Sequence, residues 1–351
     1  MRKIRVLHML MTGTYSGAEN VAITIINNSK KRCDSAYFSK KGDIAKVLKR
    51  NNITYYYFNN ILDAKNNMEK AIKDFQPDII HAHDYLASFI ASCNNNNVPM
   101  ISHLHNDPPF IKRKLLFSRM YLSAAKKAKF ILSVSEEIKN KFIYSKMVEN
   151  KFKIVYNPID TKSIEKLAIK GKNLKNFNLI FVGRLIKIKD PLRFCKIIRE
   201  LKKIKPDVTA AILGSGPLEN KIHKYIKKNN LTNTIFYLGY KHNPYKYINN
   251  SQILCMTSKR EGFPIVACEA LSLGLPVIST PVGGLNKIIN SETGFLCKTD
   301  NEFISNLNKL LHNIKKHKFT KQKCKDIIKN NYSSNIYTDN LIQIYKETIL
   351  C

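Results

Sequence analysis

Short runs of β-branched and aromatic residues alternate along most of the chain with longer segments whose apolar positions recur every three to four residues. The first pattern belongs to buried strands and the second to amphipathic helices. Strand runs fall at 4–11, 36–39, 54–58, 78–81, 100–104, 130–134 and 153–156, and again at 178–182, 208–213, 235–238, 253–257 and 276–279. After Asn301 the pattern is helical only, ending in a helix over 333–350. Strand–helix alternation on this scale predicts parallel, doubly wound α/β sheets. At 351 residues the chain is long for one hydrophobic core. The polar stretch 157–178, with its isolated Gly171, is the expected join between two Rossmann-like halves with a cleft between them.

In doubly wound sheets, ligands sit beyond the carboxyl ends of the strands. The residues able to do chemistry recur there: Gly17, His81 and His83, His103 and His105 in the first half, and Gly183, Arg184, Gly214, Gly216 and Glu261 in the second. Gly214-Ser215-Gly216 lacks the third glycine of a dinucleotide fingerprint, and no acidic residue ends the next strand. It reads better as a tight strand-to-helix turn with Pro217 opening the helix. A P-loop is absent, and so is the D-x-D pair that would hold a nucleotide-bound cation. The histidine pairs share strand faces, but no carboxylate or thiolate completes a ligand triad, so neither a metal nor a cofactor is expected.

The stretch REGFPIVACEALSLG, 260–274, carries Glu261 and Glu269 around an apolar run. Pro264 in a first helical turn and Gly274 at the stop place Glu261 in the loop before a helix and Glu269 two turns inside it. Free N–H groups at Ile265 and Val266 would then face the space near Glu261, together with Gly262, Phe263 and Pro264, and suit a phosphate. Two readings stand: solvated glutamates flanking a core helix, or a nucleotide-sugar site with one carboxylate on the sugar and the other on the ribose. In FVGRLIKIKDP, Arg184 follows a strand and Lys189 comes five residues later, where both could meet a diphosphate and stabilise a leaving group as charge develops.

Charge and composition narrow the partners. Lys and Arg number 59 against 26 Asp and Glu, a formal net charge of +33 that favours a polyanion: nucleic acid, an anionic membrane or a phosphorylated substrate. No aromatic-interleaved basic platform or nucleic-acid reading motif accompanies it, so a nucleic-acid partner is not expected. The segment 111–130 carries seven Lys and Arg, no acidic residue, and an apolar set from Leu115 to Leu122; it reads either as a core helix with its cations in water or as a basic amphipathic helix on an anionic membrane. The 8 cysteines are scattered without a C-x-x-C pair, which fits a reducing cytoplasm. The basic, apolar N-terminus could be taken for a signal peptide, but His8 interrupts the run and a first strand is the better reading. No run approaches the ~18 apolar residues of a membrane span.

In the order and spacing of these motifs the chain resembles the retaining glycosyltransferases of family four, with a GT-B fold, of the kind that builds bacterial surface polysaccharide such as O-antigen or capsule. The resemblance implies an acceptor-binding domain over 1–157, a nucleotide-sugar-binding domain over 158–332, and a helix over 333–351 packing back toward the first. Within Ser16-Gly17-Ala18-Glu19, Gly17 resembles the glycine that approaches the donor phosphates, and His105 the histidine facing the transferred sugar. Arg184 and Lys189 resemble the diphosphate-binding pair, and Glu261 and Glu269 the E-x7-E motif, directed to sugar and ribose respectively. Lys287 stands where the family often has Glu. The family implies metal-independent transfer of a hexose or N-acetylhexosamine, from a UDP-sugar by preference, to a lipid-linked, polyprenyl-diphosphate saccharide by a cytoplasmic protein lying on the inner face of the membrane. The alternatives are a sugar-nucleotide epimerase of the same fold and a basic nucleic-acid-binding protein.

Overall fold

The structure, a computed structural model, describes residues 2–15, 17–93, 97–106, 108–169, 174–313 and 321–350. Ser16 and Gly171 lie outside the described residues. The chain divides into two compact units, Met1–Pro158 with Ser334–Cys351, and Ile159–Ser333.

Among the described residues the first unit holds seven strands: β1 (Ile4–Met9), β2 (Cys33–Lys40), β3 (Thr54–Phe58), β4 (Ile79–His83), β5 (Met100–Leu104), β6 (Phe130–Ser133) and β7 (Phe152–Ile154). All pair in parallel, in the order β3-β2-β1-β4-β5-β6-β7. Strands β4 and β5 are buried at every position, as expected where helices cover both faces of a parallel sheet. The helix Ser334–Leu350 belongs to this unit: its Tyr345 is fully buried and bonds His81 on β4.

The second unit holds, among the described residues, β8 (Phe177–Val182), β9 (Ala210–Leu213), β10 (Ile235–Gly239), β11 (Ser251–Met256), β12 (Val277–Ser279) and β13 (Gly294–Leu296), again all parallel, in the order β10-β9-β8-β11-β12-β13. Its core joins Phe181 and Ile212 of the sheet to Phe194, Ile198 and Leu201 on the helix Pro191–Ile204 and to Phe303 and Leu307 on Asp300–Asn313. Both sheets therefore have the doubly wound, Rossmann-like topology expected from the alternation.

Each sheet has a point where strand order reverses, between β1 and β4 in one unit and between β8 and β11 in the other. Connections leave the two strands there in opposite directions, which opens a crevice at their carboxyl ends. The strand at β13 was not apparent from the pattern, because it has three residues and opens on a glycine. The segment 111–130 also differs from one continuous helix: a 3-10 turn, Pro109–Lys112, precedes a helix at Leu116–Lys127.

Candidate functional site

In the second unit the crevice is bounded by the ends of β8 and β11. Thr257, just past β11, donates its hydroxyl to the Asp190 carbonyl at 2.8 Å, and the Lys259 N–H donates to the Ile188 carbonyl at 2.7 Å. These bonds tie the loop after β8 to the loop after β11. Asp190 has φ 46° and ψ 55°, a left-handed conformation uncommon outside glycine. There its carboxylate accepts the Arg193 N–H at 3.3 Å, capping the helix Pro191–Ile204, and lies 3.1 Å from Lys259 Nζ.

The result is that Lys189 and Glu261, 72 residues apart, meet: Lys189 Nζ donates to the two carboxylate oxygens at 2.7 and 2.6 Å. Glu261 is 7% exposed and Lys189 26%. They line one cavity of about 210 Å³ with Gly183, Ser258, Phe263, Pro264, Ile265 and Val266. The Pro281–Gly284 turn explains how the glutamate loop is held. Gly283 has φ +56°, and a Cβ on it would stand 2.1 Å from the Glu261 carbonyl oxygen. The next N–H, of Gly284, donates to the Gly262 carbonyl at 3.0 Å.

The helix after Glu261 runs Ile265–Ser272 and carries Glu269. The expected pair of free amides is not fully present, because the Ile265 N–H donates to the Phe263 carbonyl at 3.0 Å. Proline at 264 bends the chain back tightly enough for that contact. Glu269 accepts the Tyr245 hydroxyl at 2.9 Å, and burial pushes its carboxyl up to about 7, against the lowering effect of that bond. Arg184 is exposed and lines a neighbouring cavity of about 390 Å³ with Gly214, Ser215, Tyr240, Lys241 and Pro244. The two cavities share Val182 and Gly183 of their linings, and Glu269 belongs to neither lining. Gly214 lies in the strand-to-helix turn that was expected, though the helix opens at Glu219 rather than at Pro217; it has φ +140°, and a Cβ there would overlap the Gly183 carbonyl.

In the first unit, Gly17 opens the helix Gly17–Ser29, and a side chain in its place would meet open space. His105 follows β5, half-buried, with Nε2 2.9 Å from His83 Nδ1. Burial pushes its pKa down to about 4, so it is neutral at pH 7. Asp84, at φ 74°, accepts the His105 N–H at 3.2 Å, and burial raises its carboxyl to about 6. Asp84 and Asn106 line a mainly apolar cavity of about 370 Å³ together with Phe89, Phe110, Phe117, Met120 and Tyr121. Phe117 of that lining and its neighbour Leu116 are 60% and 70% exposed, near in sequence to the exposed cations Lys112, Arg113, Lys114 and Arg119.

Sequence reasoning missed Tyr245, Asp190, Thr257, Asp84 and His8 as parts of these sites. Asp190 before Pro191 was legible as a helix cap. Tyr245 had no local signal, since its partner lies 24 residues away.

Residues 162–333 match the family model described as "Glycosyl transferases group 1", and residues 15–163 that described as "Glycosyltransferase Family 4". The Campylobacter jejuni N-acetylgalactosamine-N,N'-diacetylbacillosaminyl-diphospho-undecaprenol 4-alpha-N-acetylgalactosaminyltransferase is 31% identical over 66% of this chain and 63% of its own length. The chain thus spans less than two thirds of the curated relatives it matches above 30% identity. The Escherichia coli UDP-Gal:alpha-D-GlcNAc-diphosphoundecaprenol alpha-1,3-galactosyltransferase is 25% identical over 81% of this chain and 79% of its own. Among solved structures, Anabaena HepE in complex with UDP superposes with a TM-score of 0.83 and 20% identity, covering 99% of this chain and 100% of the other; at that identity the likeness establishes a shared GT-B fold.

Proposed function

Because the chain belongs to glycosyltransferase family 4, we propose that it is a retaining, metal-independent transferase. It moves a hexose or N-acetylhexosamine from a nucleotide-diphosphate sugar, UDP by preference, to a polyprenyl-diphosphate-linked saccharide of a bacterial surface glycan. The observation that carries this reading is the Lys189–Glu261 pair in a cavity at the β8/β11 crevice, where a doubly wound sheet takes its ligand. The names of the two bacterial relatives, both acting on diphospho-undecaprenol-linked sugars, support the acceptor class. The UDP bound to the Anabaena protein and the UDP-Gal named for the Escherichia coli relative support the donor.

In the proposed reaction the bond between the sugar anomeric carbon and the β-phosphate oxygen breaks, and the acceptor oxygen bonds that carbon on the same face. The acceptor's proton passes to the departing phosphate. Lys189 and Arg184 stabilise the developing charge on the diphosphate, with Gly17 leaving room for its approach. Glu261 orients sugar hydroxyls, Glu269 accepts from the ribose, and neutral His105 holds the sugar without serving as a free base. The Phe263–Val266 segment walls the donor cavity.

We further propose that the protein works in the cytoplasm, on the inner membrane face. Among the described residues no helix is long and apolar enough to cross a membrane. The exposed Leu115–Phe117 run among four cations, with Phe117 also lining the apolar cavity, supports surface attachment near a lipid-linked acceptor. Calorimetric titration with UDP, GDP, dTDP and a short RNA, on the wild type and Glu269→Ala, tests the donor site. Selective binding of one diphosphate, weakened by the substitution and indifferent to EDTA, is expected. Tight, salt-sensitive RNA binding without nucleotide preference would overturn the reading.

A further inference from the structure

Five imidazoles stand together in the first unit, four on three neighbouring strands and His105 just past the last of them. His8 on β1 is the register partner of His81 on β4, and His83 is the partner of His103 on β5. Alternate residues of a strand share a face, so His81 and His83, and likewise His103 and His105, point the same way. Leucine or isoleucine would fill such a place without burying polar atoms, yet here His8, His81, His83 and His103 are all buried. Among the described residues His8 Nε2 and His103 Nε2 have no hydrogen-bond partner, which a buried polar group does not tolerate without cost.

The bonds that do exist fall into two chains. Tyr345 Oη lies 2.7 Å from His81 Nδ1, and His81 Nε2 lies 3.1 Å from His103 Nδ1. His8 Nδ1 lies 3.1 Å from His83 Nε2, and His83 Nδ1 lies 2.9 Å from His105 Nε2. A neutral imidazole has one N–H and one lone pair. Suppose His81 donates to Tyr345, His103 donates through Nδ1 to His81, and His83 donates through Nε2 to His8. Then His83 Nδ1 and His103 Nε2 each keep a lone pair, and so does His105 Nε2 if its proton sits on Nδ1, the ion then replacing the proton shared between His83 and His105. In that arrangement two of these three residues give their other N–H to an outer partner, as second-sphere groups do when they orient histidine ligands around a metal.

We propose that His83, His103 and His105 form a binding site for a divalent transition-metal ion of the zinc class. Each can offer one nitrogen, and the three nitrogens lie within 4.8 Å of one another. A tetrahedral ion with bonds of about 2.0–2.1 Å wants ligands roughly 3.4 Å apart, so the 2.9 Å His83–His105 contact must open by only a fraction of an ångström. An all-imidazole set suits zinc, copper or nickel better than magnesium or calcium. The Asp84 carboxylate, bonded to the His105 amide, supplies a neighbouring negative charge. Half-buried His105 gives the ion an entry, which the fully buried trio His8, His81 and His83 lacks. Occupancy ties up His105 and so inhibits transfer. That consequence rests on the proposed role of His105; the binding does not.

The test uses the full chain carrying Cys93→Ser, which removes an exposed thiol, and titrates it with Zn²⁺ by calorimetry and with Co²⁺ by visible absorption. One saturable Zn²⁺ per chain and the intense d–d bands of tetrahedral Co²⁺ are expected. His103→Phe and, separately, His105→Ala should each lose at least 100-fold in Zn²⁺ affinity, and His81→Phe about 10- to 100-fold, with folding checked by circular dichroism. The surface variant His223→Ala should keep the affinity. Absence of saturable binding, or binding unaltered in folded His105→Ala, overturns the site. UDP binding measured on the same samples reports separately on the transferase reading.

Discussion

Lys189 Nζ donates to both carboxylate oxygens of Glu261, at 2.7 and 2.6 Å, joining the loop after β8 to the loop after β11. The proposed reaction asks these two residues to contact different parts of one donor, diphosphate and sugar. Before donor arrives each neutralises the other, so neither is left as an uncompensated charge in a partly buried cavity.

Glu261→Ala should therefore lower kcat far more than it weakens UDP binding. A loss of about 100-fold in turnover is expected, the size of one preorganised polar contact in a transition state, with a dissociation constant within a few-fold of wild type. Steady-state kinetics and calorimetry on the same preparation check this, and unchanged turnover would remove Glu261 from the mechanism.

Lys189→Met should act differently, weakening UDP binding and also the fold. It leaves a 7%-exposed carboxylate without its cation, at a cost of about 2 kcal/mol once the partial exposure of the lysine is allowed for. Urea unfolding midpoints at equal m-value measure it. The double variant Lys189→Met/Glu261→Gln should recover much of that stability and none of the activity.

Glu269 gives the protein a pH dependence. Its folded pKa of about 7 lies above the ordinary 4.5, so the folded state holds this proton more tightly than the unfolded chain. The stability it contributes is fully present below pH 4.5 and is lost as pH rises through 7, by roughly 3 kcal/mol. Ribose hydroxyls donate to the ionised form, so UDP affinity should rise with pH toward 7 and level off above it. Glu269→Gln should flatten both profiles; an unchanged profile in that variant would assign the titration elsewhere.

Gly283→Ala tests the turn that fastens the glutamate loop. A positive φ and a Cβ 2.1 Å from the Glu261 carbonyl oxygen force the loop to move. Destabilisation of about 1–3 kcal/mol is expected, together with a fall in kcat, since a small displacement of Glu261 misorients the sugar. Thermal unfolding and turnover measured together check the pairing of effects.

Leu116→Glu/Phe117→Glu should abolish flotation with vesicles containing anionic lipid while leaving stability within about 0.5 kcal/mol, because both side chains are exposed. The wild type should bind such vesicles and release progressively as salt screens its cations. Wild-type protein remaining free of anionic vesicles at physiological salt would refute membrane attachment.

The alternation of strand and helix runs was enough to determine two parallel, doubly wound sheets, because period and β-branched content are local properties. The spacing of Arg184, Lys189, Glu261 and Glu269 carried the family resemblance, and Pro264 and Gly274 marked the helix bearing Glu269, since caps and stops are also local. Tertiary structure alone decided which of these residues meet. Lys189 found Glu261 because β8 and β11 are neighbours in the sheet though distant in sequence. The same holds for the histidines. Two H-x-H pairs looked like separate strand faces, and His8 like an interruption of an apolar run, until strand order set β1, β4 and β5 side by side. Period fixes the face a side chain takes; only the order and register of non-adjacent strands fix what stands opposite it.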